Sequence, residues 1–598
     1  MAVSGGGGGI LKRSISVQLQ PSALDGVFQT VVALLLGFYC ASATWAQDRI
    51  LIVTDPTVLS QWERHGLSFE TLTGDKASIA PIHQKIKAEI SSIQRSDPLA
   101  GVGIARYPHR LFDVRWLDSS SHRFELVGVV NRSDRYPFYS PQESCGETRL
   151  IYRLAYEQSR LPMTISLEFK ADGAPNLAAC SQVWDQWKKP HAVLDAEDGP
   201  LHPSRLVRER LAQLAVNLQS MRWPSTVHPQ LGGHAEYLLM AFNWHATKRR
   251  FVPRPLENTP DVARLIQQPE RRNKLLGWLL QPNNLDRLDK GTLKIPAEFL
   301  AFTAISVAPA GMARRANRPF SQIFKASDFQ YVPGEWRSRL TLRSPQAFLR
   351  RLDDLSCMGC HQSRSTAGFH FLGAEHKGVP VGNALALPAS VHLEKELLRR
   401  RDVFATRMFA ESGEENGGFG QACGLGDPGF SHWTCSESFQ CTRHGAKNDP
   451  TVGVCMPKTP EVGGLCEPAQ IASHAHQSTK DHASLEKRLG SCVGAGGVCE
   501  ATAVGFPGGM CSGDCNPLMK NSRCGAIAVL SPFNACLGKN RPFAECLKLN
   551  SRPANLRACG PGLHCRDDYI CAQSEAGVNN GVCIPPYFLF QLRVDGHP

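Results

Sequence analysis

The 598-residue chain reads as three kinds of structure in series: an α+β domain, a small all-α segment, and a disulfide-rich, loop-rich C-terminal region. Three observations lead there. Met163 to Lys170 (MTISLEFK) alternates apolar and polar side chains as a half-buried strand does. From Ser344-Pro345 the apolar residues Phe348, Leu352 and Leu355 recur at helical spacing and run into Cys-Met-Gly-Cys-His at 357–361. Sixteen of the 21 cysteines then crowd between Cys423 and Cys583, where hydrophobic periodicity fades. The boundaries that follow are a leader over 1–46, the α+β domain over 47–343, the helical segment over 344–412 and the cysteine-rich region from 413 to 598.

The α+β assignment rests on strands early and helices late. Arg123 to Val130 and Arg149 to Tyr156 are apolar-rich runs of strand length, with Asn131-Arg-Ser-Asp134 as a polar turn after the first. Strands so close in sequence close most naturally as an antiparallel sheet. Cys145 and Cys180 bracket two of them and can pair. Pro203-Ser204 opens a stretch with Leu206, Val207, Leu211, Leu214, Ala215 and Leu218 at helical spacing. Thr259-Pro260-Asp261 caps a further helix through Val262, Leu265 and Ile266, and Pro269 breaks or kinks it before Leu275 to Leu280. His234 and Glu236 lie two apart, which does not put them on one helical face, so a structural histidine is expected; His245 and Asp195 stand alone. No phosphate loop, nucleophile elbow or dinucleotide fingerprint is present.

Hydrophobic residues make up 42% of the chain and charged residues 20%, an ordinary soluble composition. The net charge of +12 is spread out, and no Lys/Arg-rich block suggests nucleic acid as a partner. Lys12 and Arg13 precede an apolar stretch from Val27 to Tyr39, then small residues, so cleavage after Ala43 or Ala46 is expected of an export signal. Membrane contact is expected only through an uncleaved leader, because no later segment reaches about 18 unbroken apolar residues. The cysteine density suits an oxidising compartment, periplasmic or secreted to a bacterial cell surface.

Cys357-Met-Gly-Cys360-His361 has the spacing of a c-type haem attachment sequence. Two thiols three apart can each take one porphyrin vinyl carbon, and the next imidazole can reach the iron. With its leading helix, the segment resembles the small mono-haem c-type cytochromes over about 70 residues. The resemblance implies Cys357 and Cys360 as thioether residues, His361 as proximal iron ligand, and Gly359 as a small residue beside the porphyrin. The family's downstream methionine corresponds in range to Met408, 47 residues past His361, although Leu393 to Phe409 reads as one continuous helix and the family's methionine normally precedes such a helix. His370 and His376 are closer rivals, and an open sixth position is the remaining choice. Arg364, or the run Arg399 to Arg401, could meet the haem propionates, but a solvated helix face is the better reading of the run.

Beyond the polar linker Glu411 to Gly420, four cysteines recur in order about 130 residues apart: Cys423, Cys435, Cys441 and Cys455, then Cys559, Cys565, Cys571 and Cys583. Such short units need cross-links, worth about 2–4 kcal/mol each, to hold a fold. Their spacings do not suit zinc. The expected function is an exported electron-transfer protein with one haem c, serving an unidentified redox partner or surface ligand and leaning away from enzymatic catalysis. The alternatives are a haem enzyme of peroxidase or oxygenase type, and a haem-free disulfide scaffold in which Cys357 and Cys360 pair with each other.

Overall fold

Nine antiparallel strands organise the first 310 residues: β1 (Ile52–Val53), β2 (His109–Arg110), β3 (His122–Arg132), β4 (Glu147–Tyr156), β5 (Ser159–Lys170), β6 (Leu211–Arg222), β7 (His234–His245), β8 (Arg250–Arg254) and β9 (Thr303–Ala308). They hydrogen-bond in the order β1-β3-β4-β5-β6-β7-β8, with β2 on β6 and β9 on β7. The computed structural model describes residues 51–363 apart from internal stretches, the longest being 97–108, 189–198, 223–233 and 330–338. It also describes 368–371, positions 393, 397, 400 and 417, most of 421–442, 452–457, and short strands between 498 and 584. The leader, the cleavage sites Ala43 and Ala46, Asp195, Arg364, His376 and Met408 lie outside the described residues.

The strands predicted at 123–130, 149–156 and 163–170 are β3, β4 and β5. Alternation gives their sheet two unlike faces. Leu150, Leu167, Leu214 and Phe242 form one cross-strand row, each essentially inaccessible to water. Helices α1 (Pro56–Trp62), α2 (Phe69–Thr73) and α3 (Lys76–Ser96) cover this face with Leu59, Phe69, Leu72, Ile82, Ile86 and Ile90. Each buried aliphatic side chain contributes about 1.5–3 kcal/mol. Tyr152 packs among them, its hydroxyl donating to the Leu67 carbonyl at 2.6 Å.

One expected helix is a strand. The stretch after Pro203 makes turns and a short 3₁₀ segment (Arg208–Arg210), then β6. Leu214, Val216 and Leu218 alternate with Gln213, Ala215 and Asn217, which is strand periodicity; a few apolar residues at three- and four-residue spacing imitate a helix when both faces are buried. Cys145 and Cys180 are disulfide-bonded, tying the start of β4 to α4 (Cys180–Asp185).

Asp261 caps α5 (Val262–Gln267), its carboxylate accepting from the Arg264 amide at 3.1 Å, and α6 (Pro269–Leu279) starts afresh at the proline. Of the face expected on α5, Leu265 is buried but Ile266 is 56% exposed. With α7 (Pro282–Asp289) and α8 (Phe320–Ile323), these helices build a second apolar cluster that takes in Phe348, Leu349 and Leu352 of α9 (Pro345–Leu355). Ser344 caps α9, accepting from the Ala347 amide at 3.0 Å. The helical segment therefore shares its core with the preceding residues, and Arg49 onward forms one compact unit.

The cysteine-rich region begins with a three-stranded sheet, β10 (Ala422–Gly424), β11 (Phe439–Thr442) and β12 (Val452–Pro457), with β12 central. Disulfides Cys423–Cys441 and Cys435–Cys455 cross-link it. The sulfurs of Cys423, Cys435 and Cys441 come within 4.8 Å of one another, but each already belongs to a bridge. Further on, β13 (Val498–Glu500) pairs with β14 (Met510–Ser512), and β15 (Ala558–Cys559), β16 (Ile570–Ala572) and β17 (Gly581–Ile584) repeat the topology of the first sheet. Cys571 stands opposite Cys583 as Cys441 stands opposite Cys455, so the sequence repeat is also a repeat of backbone. Among the described residues no helix is long and apolar enough to cross a membrane.

Candidate functional site

The motif sits on a short helix, α10 (Cys357–Ser363). Helix α9 stops at Leu355 rather than running into Cys357, because Ser356 is extended and restarts the chain as a cap. The Ser356 hydroxyl accepts from the Gly359 amide at 3.1 Å and donates to the Asp353 carbonyl at 2.6 Å. A Cβ on Gly359 would stand 2.2 Å from that same carbonyl. This close approach of two backbones accounts for the glycine without reference to a ligand. Asp353 is buried in turn, accepting from the Phe320 amide at 2.7 Å and from Ser321, which fixes α9 against α8. Burial pushes its carboxyl up to about 6.

The sheet face opposite the apolar core receives α10. Its rows are polar and mostly buried: Arg149, Glu168 and Gln213 lie across β4, β5 and β6, and Arg153, Thr164 and Asn217 form a second row. His361 is buried on this face against β6, β7 and β9. Its Nε2 lies 3.0 Å from the amide nitrogen of Asn217, its Nδ1 lies 2.8 Å from the hydroxyl of Ser306, and its ring is 5.0 Å from that of Tyr237. With the Asn217 amide as donor, Nε2 carries the lone pair and Nδ1–H points to Ser306. Burial pushes the imidazole down to about 3, so the ring is neutral at ordinary pH.

Cys357 and Cys360 are both free thiols. The Cys357 amide donates to Thr259 Oγ1 at 2.9 Å and its thiol to the Glu257 carbonyl at 3.3 Å. Burial pushes that thiol up to about 12. Cys360 is exposed. Cys357, Cys360 and His361 all line one cavity of about 240 Å³ between α10 and the polar sheet face. Its other walls include Arg132, Arg135, Arg149, Ala215, Ala241 and Leu256.

Arg400 lines the cavity too, 3.5 Å from Asp134 and 5% exposed, so within the run Arg399 to Arg401 this member is not on a solvated face. Arg132 contacts the same Asp134 at 2.9 Å. Burial and the neighbouring Arg400 push the Arg132 guanidinium down to about 10. His370 is buried in the 3₁₀ turn Gly368–His370 but does not line the cavity. That turn lies tight on β5, where a Cβ on Gly368 would stand 2.2 Å from Thr164 Oγ1. His245, at the end of β7, is not part of the cavity, and Glu236 is buried in the same strand.

The donor set suits a covalently held haem in three respects. Both thiols are unpaired and face the space beside the imidazole. With the Asn217 amide as donor, Nε2 holds the lone pair, and the other ring nitrogen lies 2.8 Å from a hydroxyl, the kind of outer partner that orients a metal-binding imidazole. Arg132 and Arg400 share one carboxylate, Asp134, so a further carboxylate such as a propionate would offset their second charge. A macrocycle on Nε2 would also need the space that Asn217 and its strand fill, because the amide stands 3.0 Å from that nitrogen, so α10 and the sheet must separate before iron can take it.

Sequence reasoning missed the sheet's contribution entirely. Asn217, Ser306, Arg149 and Glu168 lie 55 to 212 residues before His361. Only the polar residues within otherwise apolar strands hinted at them. No family model, curated protein or solved structure matches the chain.

Proposed function

We propose that the chain is an exported mono-haem c-type cytochrome, with the haem held between α10 and the polar face of the sheet. The observation that carries this reading is the convergence of two free thiols and a neutral imidazole on one cavity. Bound there, haem supplies a one-electron couple. The protein's part follows from its own residues. Cys357 and Cys360 form the thioether links. The Ser306 hydroxyl can accept from Nδ1–H of His361, and in that tautomer Nε2 would be the nitrogen that holds iron. Arg132 and Arg400, which share the single carboxylate of Asp134, would supply cations for the propionates, while Ala215, Ala241 and Leu256 line one side with apolar surface.

Two other uses of the cysteines are less well supported. A thiol–disulfide oxidoreductase needs a thiol of low pKa, and Cys357 is displaced the opposite way. A simple structural disulfide does not match two unpaired sulfurs. A haem enzyme is the second reading, favoured by the charged side chains that share the cavity with the motif.

The test is the pyridine haemochrome spectrum of the mature protein after acid-acetone extraction, made in a host with cytochrome c maturation. Retained haem that is low-spin and inert to peroxide supports electron transfer. High-spin iron reacting rapidly with peroxide supports the enzyme. Complete extraction, or covalent haem surviving in the Cys357→Ala/Cys360→Ala variant, refutes the proposed site.

A further inference from the structure

A second cavity, of about 350 Å³, lies beside the one that holds the motif and shares Glu168, Gln213 and Glu257 with it. Its volume is at the lower end of the range for small-molecule sites, but its lining is charged rather than apolar. Four cationic side chains and four carboxylates border it, so the wall as a whole is balanced. The individual groups differ in how far their hydrogen-bonding capacity is filled.

Most of these charges pair with one another. Glu257 is held by both terminal nitrogens of Arg135, at 3.1 and 2.8 Å. Glu147 accepts from Arg135 and the Tyr139 hydroxyl on one oxygen and from Arg149 on the other. Lys170 is paired with Glu143 at 2.6 Å, and this partly exposed pair marks the side open to water.

Three charged groups remain. Arg254 is fixed through Nη1, which donates to the Ala212 carbonyl at 2.8 Å and to Asn243 Oδ1 at 3.1 Å. Both acceptors are neutral, and its buried Nε has no hydrogen-bond partner among the described residues. The Nε–Nη2 edge, which can receive a carboxylate at two points, is therefore open. Lys294 donates to the Phe138 carbonyl and stands 4.9 Å over the Tyr139 ring, with no carboxylate of the described residues in contact. Glu168 uses only Oε2, towards Arg149 at 3.0 Å and the Gln213 amide nitrogen at 2.8 Å. Among the described residues, no donor reaches Glu168 Oε1 or the amide oxygen of Gln213.

The open positions are thus two cations and two acceptor oxygens, one of them on a carboxylate. A plain anion would satisfy the cations but add a fifth negative charge to the cavity, and a plain amine would do the reverse. A ligand carrying both signs satisfies both sets and keeps the balance. We propose that this cavity binds a free α-amino acid. The ligand's carboxylate takes the open edge of Arg254 and the ammonium of Lys294, and its own ammonium donates to Glu168 Oε1 and the Gln213 amide oxygen. Burial raises the Glu168 pKa, and an ammonium against Oε1 acts the other way. Cys357, Cys360 and His361 do not line this cavity, so the inference stands apart from the haem reading.

The test is isothermal titration of the mature full chain with each of the common L-amino acids singly. At least one gives saturable binding. For that amino acid, the analogue lacking the amino group and the amine lacking the carboxyl group each bind weaker by about tenfold or more, having lost a charge-assisted contact. Arg254→Gln and Glu168→Gln weaken binding by a similar factor while circular dichroism is unchanged. If Arg254→Gln does not fold, Lys294→Met is read in its place, with the same expected loss. Absence of saturable binding, equal binding of either analogue, or an affinity unchanged in these variants overturns the inference. Each of those results leaves the haem reading untouched, and a mature chain without covalent haem leaves this inference untouched.

Discussion

On one face of the nine-stranded sheet, Leu150, Leu167, Leu214 and Phe242 stand in a row; on the other, one residue along the same strands, stand Arg149, Glu168 and Gln213. Both rows are largely withdrawn from water. The first is what a stable fold needs. The second is expensive, because burying Arg149 and Glu168 costs several kcal/mol of desolvation per ion before pairing offsets it. A plain hydrophobic layer would serve stability as well. The two faces therefore have different work: one holds the sheet together, and the other presents charge and hydrogen bonds to the helix carrying Cys357, Cys360 and His361.

Substitutions on each face sharpen that contrast. The largest effect is expected from Cys357→Ala/Cys360→Ala, which should abolish haem staining altogether while circular dichroism and secreted yield stay near wild type. Collapse of the fold would mean that the motif belongs to the core instead. Next comes Phe242→Ala on the apolar face, where the vacated space should cost about 3–5 kcal/mol in urea unfolding; a loss under 1 kcal/mol would deny that this face is the core.

Asn217→Ala is smaller. It removes the amide facing His361 and should cost the haem-free protein about 1–3 kcal/mol, yet leave covalent haem in place, since that hydrogen bond must be given up to iron in any case.

The pH dependence of the haem-free protein follows from His361. Its imidazole is pushed down to about 3 when folded, against 6.5 for an ordinary histidine. Between those values the unfolded chain binds a proton that the folded chain refuses. Stability should therefore fall as pH drops through that window, by about 1.4 kcal/mol per unit. His361→Gln should flatten this part of the profile. The smallest effect is expected at Ser166→Ala on the polar face. Its hydroxyl has no hydrogen-bond partner among the described residues, and the change in unfolding free energy should stay within about 0.5 kcal/mol.

Local signals were the legible ones. Strict alternation marked β5, the Ser344-Pro345 cap marked the start of α9, and the cysteine repeat anticipated two sheets of the same topology. The pairing of Cys145 with Cys180 was also within reach. Strand β6 was misread because leucines on a doubly buried strand also fall at helical intervals. The second half of the candidate site was illegible for a different reason. Asn217 and Ser306 meet His361 only through long-range sheet register, and an asparagine in a strand carries no mark of what it faces.

The cysteine-rich region differs from both sheet faces in how it is held. Its first unit relies on two disulfides and docks on α9, where Phe430, Trp433 and Ala347 pack together and Trp433 donates to the Thr341 carbonyl at 3.0 Å. That contact ties the first cysteine-rich unit to the helix leading into the motif.

The most direct measurement is the intact mass of the mature protein after denaturation and thiol alkylation, followed by peptide mapping. The account predicts a mass increase of one haem, located on the peptide containing residues 357–361, with neither Cys357 nor Cys360 alkylated. An unmodified peptide with both thiols alkylated would contradict it.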